Sequence, residues 1–378
     1  MFMNSEIKPV RIAQIMGKLW AGGVEAVVFN YYREIDKEKI QYDFYYDDDS
    51  TVEPPQELID MGARFIRIPP YQKLPAYLKT LRKHFKENDY SLVHSHINTL
   101  SIFPLFAAWT ARIPVRIAHN HSVPGGNEIR RNILKYILRC FAKVFATDYF
   151  ACSEKAGRWM FGNRAFEKGK VQVLKNAVDF DRFRPEGEVI EPLREKLGLK
   201  GKFVVGHVGR FTFAKNHTFL VEIFVELAKE REDAVLLLVG DGELHDQINA
   251  MVKQAGIEDK VVFAGQVNDP EKYYRLANVI LVPSVFEGLS LTTIESQIAG
   301  IPTVVSESVP EEAIIGEGVA RVSLTKSANE WAKIVLDLSK QKVVLDDRSK
   351  NYEMKGQSKK LTKWYVNKLA SIKGEKHA

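Results

Sequence analysis

Short apolar runs rich in Val and Ile alternate along the chain with longer stretches whose apolar residues recur at helical period. This pattern predicts βα units and parallel sheets. In the first half, strands are expected at "VRIAQIM", "YDFYY", "RFIRI", "SLVHSH", "VRIAHN" and "DYFAC". Helices are expected at "GVEAVVFNYYREI", "PPQELIDMG", "LPAYLKTLRKHF", "TLSIFPLFAAWT" and "NEIRRNILKYILRCFAKVF". From Val171 to Val189 the period is lost and turn formers accumulate, which marks a domain boundary. A second run begins at "KFVVGHVGR" and continues through "AVLLLVGDGE", "KVVFAGQV", "NVILVPS" and "PTVVS". The tail "KKLTKWYVNKLASIK" reads as a basic amphipathic helix. The expected fold is α/β: Rossmann-like domains over residues 1–184 and 185–355, a cleft between them, and a terminal helix over 356–378.

Length and composition agree with that division. At 378 residues the chain exceeds one ordinary core, and 45% hydrophobic with 27% charged residues is globular composition. "LSIFPLFAAWTA" is far shorter than the roughly 20 residues a membrane-spanning helix needs. No basic segment leads into an apolar run with a cleavage site at the N-terminus, so a cytoplasmic location is expected. Cys140 and Cys152 read as reduced thiols without metal-ligand spacing. The net charge of +6 is uneven, since residues 100–184 carry 15 Lys plus Arg against 6 Asp plus Glu. "RRNILKYILRCFAKVF", Arg130 to Phe145, gathers much of it at helical spacing, with Ile133, Leu134, Ile137, Leu138 and Phe141 on one side. Such a helix fits a plain surface helix or a peripheral contact with an anionic membrane. A nucleic-acid contact lacks any supporting motif, so no nucleic acid is expected as a partner.

Ligands of parallel sheets sit beyond the carboxyl ends of the strands, so the loops that follow strands carry the candidate chemistry. After the first strand, Gly22 and Gly23 precede a helix, where backbone N–H groups can approach an anion. "HVGRFTFAKNH" places Arg210 and Lys215 in one strand-to-helix loop, with Asn216 as a candidate cap. Two cations beside a helix N-terminus suit a diphosphate, although a pair of solvated cations on a loop is the plain alternative. "LVGDGE" repeats the strand–glycine theme with Gly240 and Gly242, which a simple turn explains equally well. In "VPSVFEGLSLTTIESQIAGIP", Glu287 and Gly288 lie in a strand-end loop, and Glu295 follows in the helix. Ser290 is the N-cap candidate there, and Thr292 with Glu295 fits a capping box. Capping accounts for Glu295 but not for Glu287.

"SVFEGLSLTTIESQIAGIPTVVS" resembles the glutamate–seven–glutamate signature of retaining glycosyltransferases of the GT-B fold, especially glycosyltransferase family 4. "HVGRFTFAKNH", "LVGDGE", "NAVDFDRFRP" and "GKLWAGGVE" match as well, in the family's order and across nearly the whole chain. The resemblance implies a nucleoside diphosphate sugar donor, a UDP-sugar above all, and no metal or other cofactor. It implies that Arg210 and Lys215 hold the diphosphate, with the N–H groups of Leu289, Ser290 and Leu291 adding to that site. Glu287 would contact the sugar, Glu295 the ribose, and Gly23 would belong to a loop over the diphosphate. The terminal helix would cross back to the first domain. His119 of "RIAHNHS" resembles the histidine that approaches the donor sugar; His121 shares its face, and His94 and His96 compete with it.

The mechanism so implied is transfer with retention by front-side attack, in which the leaving phosphate takes the acceptor proton. The expected acceptor is a glycan or a polyprenyl-diphosphate-linked glycan of capsular or exopolysaccharide biosynthesis, at the inner face of the membrane. A sugar-nucleotide 2-epimerase of the same fold and a non-catalytic sugar-binding protein are the rival readings. "YYDDDS", with Asp47 to Asp49 after a strand, offers a metal–diphosphate motif, which is set aside because the second domain already supplies cations.

Overall fold

The computed structural model describes residues 8–20, 23–123, 129–184, 187, 189–267 and 269–375. The chain forms two compact units. One comprises the described residues up to Val178 together with those from Asn351 onward, and the other runs from Asp179 to Lys350.

The first unit is built on a seven-stranded parallel sheet. Its strands are β1 (Val10–Gly17), β2 (Ile40–Asp47), β3 (Arg64–Ile68), β4 (Leu92–Ser95), β5 (Val115–Asn120), β6 (Asp148–Ala151) and β7 (Val171–Val173), in the order β3-β2-β1-β4-β5-β6-β7. The seventh strand falls inside the stretch expected to be a linker. Only Val171 of its three residues is buried, so an edge strand this short leaves almost no periodic signal. The order reverses between β1 and β4, so the loops after β1, β4 and β5 converge at the switch point.

In the second unit β8 (Phe203–Val208), β9 (Ala234–Val239), β10 (Val261–Gly265), β11 (Val279–Val282), β12 (Thr303–Ser306), β13 (Gly316–Glu317), β14 (Val319–Val322) and β15 (Val344–Leu345) follow. Six of them form a parallel sheet ordered β10-β9-β8-β11-β12-β14, while β13 and β15 pair as a small antiparallel ribbon. The six-residue run of β9 is buried throughout, as expected of a strand covered by helices on both faces. Here the order reverses between β8 and β11. Two Rossmann-like α/β units are therefore present, as the alternating pattern predicts.

The junctions lie before Arg184 and before residue 355. The short helix Phe180–Phe183 belongs to the second unit because Phe183 packs on Tyr274, and Arg182 pairs with Glu271 at 2.9 Å. The chain then returns beside its own exit: Val178 donates to Tyr352 O and Met354 donates to Val178 O. The C-terminal helix Met354–Glu375 packs against the first unit. Ser358 Oγ donates to Glu34 O at 2.8 Å, and Lys368 pairs with Asp148 at 2.8 Å.

Candidate active site

In the second unit the candidate residues rise from the two strands that flank the switch point. The loop after β8 carries Lys215, and the loop after β11 carries Glu287. Lys215 Nζ lies 2.7 Å from Glu287 Oε1, and Ser284 Oγ donates to the same oxygen at 2.8 Å. Glu287 is buried, so this pair holds a carboxylate away from bulk water by charge and hydrogen bonding together.

The helices that follow these loops are not capped as the sequence suggests. Asn216 and Ser290 occupy the N-cap positions of His217–Glu230 and Leu291–Ile298, but both adopt left-handed backbone and neither side chain caps. Asn216 Nδ2 donates instead to Pro283 O at 3.0 Å, tying the β8 loop to the β11 loop. Ser290 Oγ pairs with Thr293 Oγ1 at 2.8 Å, and Thr292 Oγ1 donates to Val208 O at 3.0 Å, so no capping box forms. Non-glycine residues in this region carry strain that persists where the surroundings enforce it. The result is two helix starts, without side-chain caps, following the loops that hold Lys215 and Glu287, an arrangement suited to an anion.

Glu295 accepts a hydrogen bond from the Tyr274 hydroxyl at 2.7 Å. Burial raises its carboxyl above the usual range, against the opposing effects of Tyr274, Lys215 and Arg182. His207 and His217 pack edge to face nearby, ring centroids 4.7 Å apart. Burial lowers them to about 4 and about 2, helped by Lys215, so both are neutral at pH 7. Arg210 is exposed and pairs with Glu243 at 3.3 Å. Gly242 serves packing: a Cβ there would lie 2.6 Å from Phe211 O, pressing the β9 loop against the loop that carries Arg210. At Gly288 a Cβ would meet nothing within 4 Å, while Leu289 is buried and Leu291 opens the helix.

In the first unit four histidines form a buried cluster. His94 and His96 lie at the end of β4, and His119 and His121 at the end of β5, each pair two residues apart on one face. His94 stacks on His96 at 4.2 Å, and His119 on His121 at 4.0 Å. Across the strands His94 Nε2 meets His119 Nδ1 at 3.0 Å, and His96 Nδ1 meets His121 Nε2 at 3.0 Å. Burial holds His94, His96 and His119 well below the usual histidine range and lowers His121 to about 3. His94, His96 and His119 offer nitrogens within 4.8 Å of one another, the one such metal-sized group among the described residues. Gly23 opens the helix Gly23–Glu34, before which Trp20 N–H donates to Glu25 Oε1 at 2.8 Å; Gly22 lies outside the described residues.

Residues 189–359 match the family described as "Glycosyl transferases group 1", and residues 21–182 match "Glycosyltransferase Family 4". The putative glycosyltransferase EpsF of Bacillus subtilis is 32% identical over 88% of this chain and 88% of its own. The chain belongs to the group 1, family 4 glycosyltransferases. A second relative of this glycosyltransferase is the UDP-Gal:alpha-D-GlcNAc-diphosphoundecaprenol alpha-1,3-galactosyltransferase of Escherichia coli, 24% identical over 80% of this chain and 81% of that one. Anabaena Alr3699/HepE, solved in complex with UDP-glucose, superposes with a TM-score of 0.76 at 16% identity, covering 94% of this chain and 99% of that one. The fold is thus GT-B.

The tertiary structure of this glycosyltransferase brings Lys215 and Glu287 together and gives Glu295 its tyrosine. Sequence reasoning missed Tyr274, Ser284, Gln14 and Tyr365. A signal existed for Gln14, a lone amide in the apolar run "VRIAQIM". Tyr365 meets His94 across 271 residues of sequence, so no local pattern could have announced it.

Proposed function

We propose that this glycosyltransferase moves a hexosyl or N-acetylhexosaminyl group from a UDP-sugar to a lipid-diphosphate-linked glycan, with retention, in surface polysaccharide assembly. The observation that carries the reading is the Lys215–Glu287 pair at the switch point of the second unit, beside helix starts without side-chain caps. The lysine and the helix N–H groups neutralise the departing diphosphate; Arg210 contributes from the same loop. Glu287 orients the sugar hydroxyls, Glu295 accepts from the ribose diol, and His119 of the first unit acts on the transferred sugar. The acceptor hydroxyl attacks the anomeric carbon on the face from which the diphosphate leaves, and its proton passes to the departing phosphate oxygen. No metal takes part in this scheme.

The nucleotide in the HepE complex and the diphosphoundecaprenol in the E. coli relative's name favour these substrate classes. For the acceptor, a second feature counts. The helix Ile129–Arg139 and the turn after it expose Ile133 (55%), Ile137 (54%), Phe141 (49%) and Val144 (60%) among basic residues. An apolar and cationic face fits peripheral contact with the cytoplasmic leaflet, where a lipid-linked acceptor would be met. No helix among the described residues is long and apolar enough to cross a membrane.

The test is a thermal-shift screen with nucleoside diphosphate sugars, followed by transfer to a polyprenyl-diphosphate-linked sugar and NMR of the new anomeric linkage. Stabilisation by a UDP-sugar and a retained configuration are expected. Conversion of UDP-GlcNAc without any acceptor would instead indicate an epimerase.

A further inference from the structure

The four histidines do not stand alone. His96 Nε2 lies 2.7 Å from Gln14 Oε1, and Gln14 Nε2 donates to the Tyr365 hydroxyl at 3.5 Å. That hydroxyl lies 2.6 Å from His94 Nδ1, and Tyr42 also hydrogen-bonds to it. With the two cross-strand pairs, the contacts form one unbroken path from His121 through His96, Gln14, Tyr365 and His94 to His119.

The amide gives this path a direction. A carbonyl oxygen only accepts, so His96 Nε2 carries its ring's proton. His96 is neutral, which leaves its Nδ1 bare and facing His121 Nε2 at 3.0 Å. At the other end of the amide, the Tyr365 oxygen accepts from Gln14 and sends its own proton to His94 Nδ1. His94, also neutral, then carries its proton on Nε2 and donates it to His119 Nδ1. His119 is left with its proton on Nε2, a buried atom with no partner among the described residues. A buried N–H without a partner is costly unless a ligand accepts from it.

We propose that Gln14 and Tyr365 are positioning residues which, through this hydrogen-bond chain, fix His119 as the tautomer that offers an Nε2–H donor. The C-terminal helix thereby sets the chemistry of a β5 side chain. The expected recipient is a sugar hydroxyl or ring oxygen, and this part rests on the function proposed above for His119. The direction of the chain itself does not rest on it. A metal shared by His94, His96 and His119 would have to break these bonds, since His94 Nε2 and His96 Nδ1 are already engaged.

Long-range proton–nitrogen NMR of 15N-histidine-labelled full-length protein reads each tautomer directly. At pH 7.5 the wild type should show His119 protonated at Nε2 and bare at Nδ1. Tyr365→Phe, which keeps the ring, should give a second His119 form protonated at Nδ1. Turnover should then fall by roughly an order of magnitude, with KM for the UDP-sugar little changed. Gln14→Glu, which can only accept while ionised, should reverse the chain and move His119 to the Nδ1–H form. A wild-type His119 protonated at Nδ1 overturns the proposal without any variant. So does a tautomer that Tyr365→Phe leaves unchanged. If the tautomer shifts and turnover does not, the relay stands and the role given to His119 falls.

Discussion

Lys215 and Glu287 are joined by a 2.7 Å ion pair although 72 residues separate them in sequence. They come from the loops after β8 and β11, so the fold's strand order is what makes them neighbours. Removing the lysine leaves a buried carboxylate with Ser284 as its remaining side-chain partner among the described residues. Lys215→Met should therefore lower both the melting temperature and turnover, the latter by about 10²–10³-fold as for an oxyanion-site donor. Adding Glu287→Gln should restore the melting temperature and leave turnover lost. Turnover that recovers with stability would reduce the pair to a structural role.

Glu295 is buried and held by the Tyr274 hydroxyl, with Glu271, Lys215 and Arg182 close enough to act on its charge. Glu295→Gln should raise KM for the UDP-sugar by about tenfold or more, in line with about 1.5–3 kcal/mol for a hydrogen bond to a charged group. Tyr274→Phe should have a smaller effect in the same direction. A KM unchanged in Glu295→Gln removes this residue from the nucleotide site.

Stability should fall on acidification for a reason visible in the interior. Burial depresses the four clustered histidines together with His207 and His217. Below the unfolded pKa of about 6.5 the unfolded chain binds protons that the native state refuses, so stability drops as pH decreases. Each such histidine adds up to about 1.4 kcal/mol per pH unit to the slope. His217→Leu should flatten the melting-temperature profile between pH 7.5 and 5; an unchanged slope would contradict its burial as a neutral ring.

Asp47 has the opposite sign. Burial, with Asp49 and Asp48 beside it, pushes its carboxyl up to about 7. Between about pH 4 and 7 the native state keeps a proton that the unfolded chain has lost, so ionisation erodes stability as pH rises. Asp47→Asn should raise the melting temperature at pH 8 and change it little at pH 4. Transfer should persist in Asp47→Ala and in excess EDTA. Loss of transfer in both would restore the metal–diphosphate reading of "DDD".

The exposed side chains of the helix Ile129–Arg139 contribute little to the core. Ile133→Ser with Ile137→Ser should leave the melting temperature nearly unchanged. Flotation with vesicles containing phosphatidylglycerol should fall severalfold, more so at high salt. Equal flotation of wild type and variant would remove this face from membrane contact.

The sequence by itself determined the two βα runs, because buried parallel strands and covering helices differ in period and composition. It also determined Glu287 as a residue that capping does not explain, and the family whose five blocks it carries in order. The linker reading of Val171 to Val189 missed β7, since an edge strand with one buried residue has no period to detect. The caps at Asn216 and Ser290 failed for a related reason. Local pattern ranks side chains by what they can bond nearby, whereas the tertiary fold offered Pro283 O and Thr293 Oγ1 instead. Only the three-dimensional structure decided that Lys215 meets Glu287, that Tyr274 holds Glu295, and that four histidines share one path with Gln14 and Tyr365. Those contacts depend on strand order and on the return of the C-terminal helix, and both are set by burial summed over the whole chain.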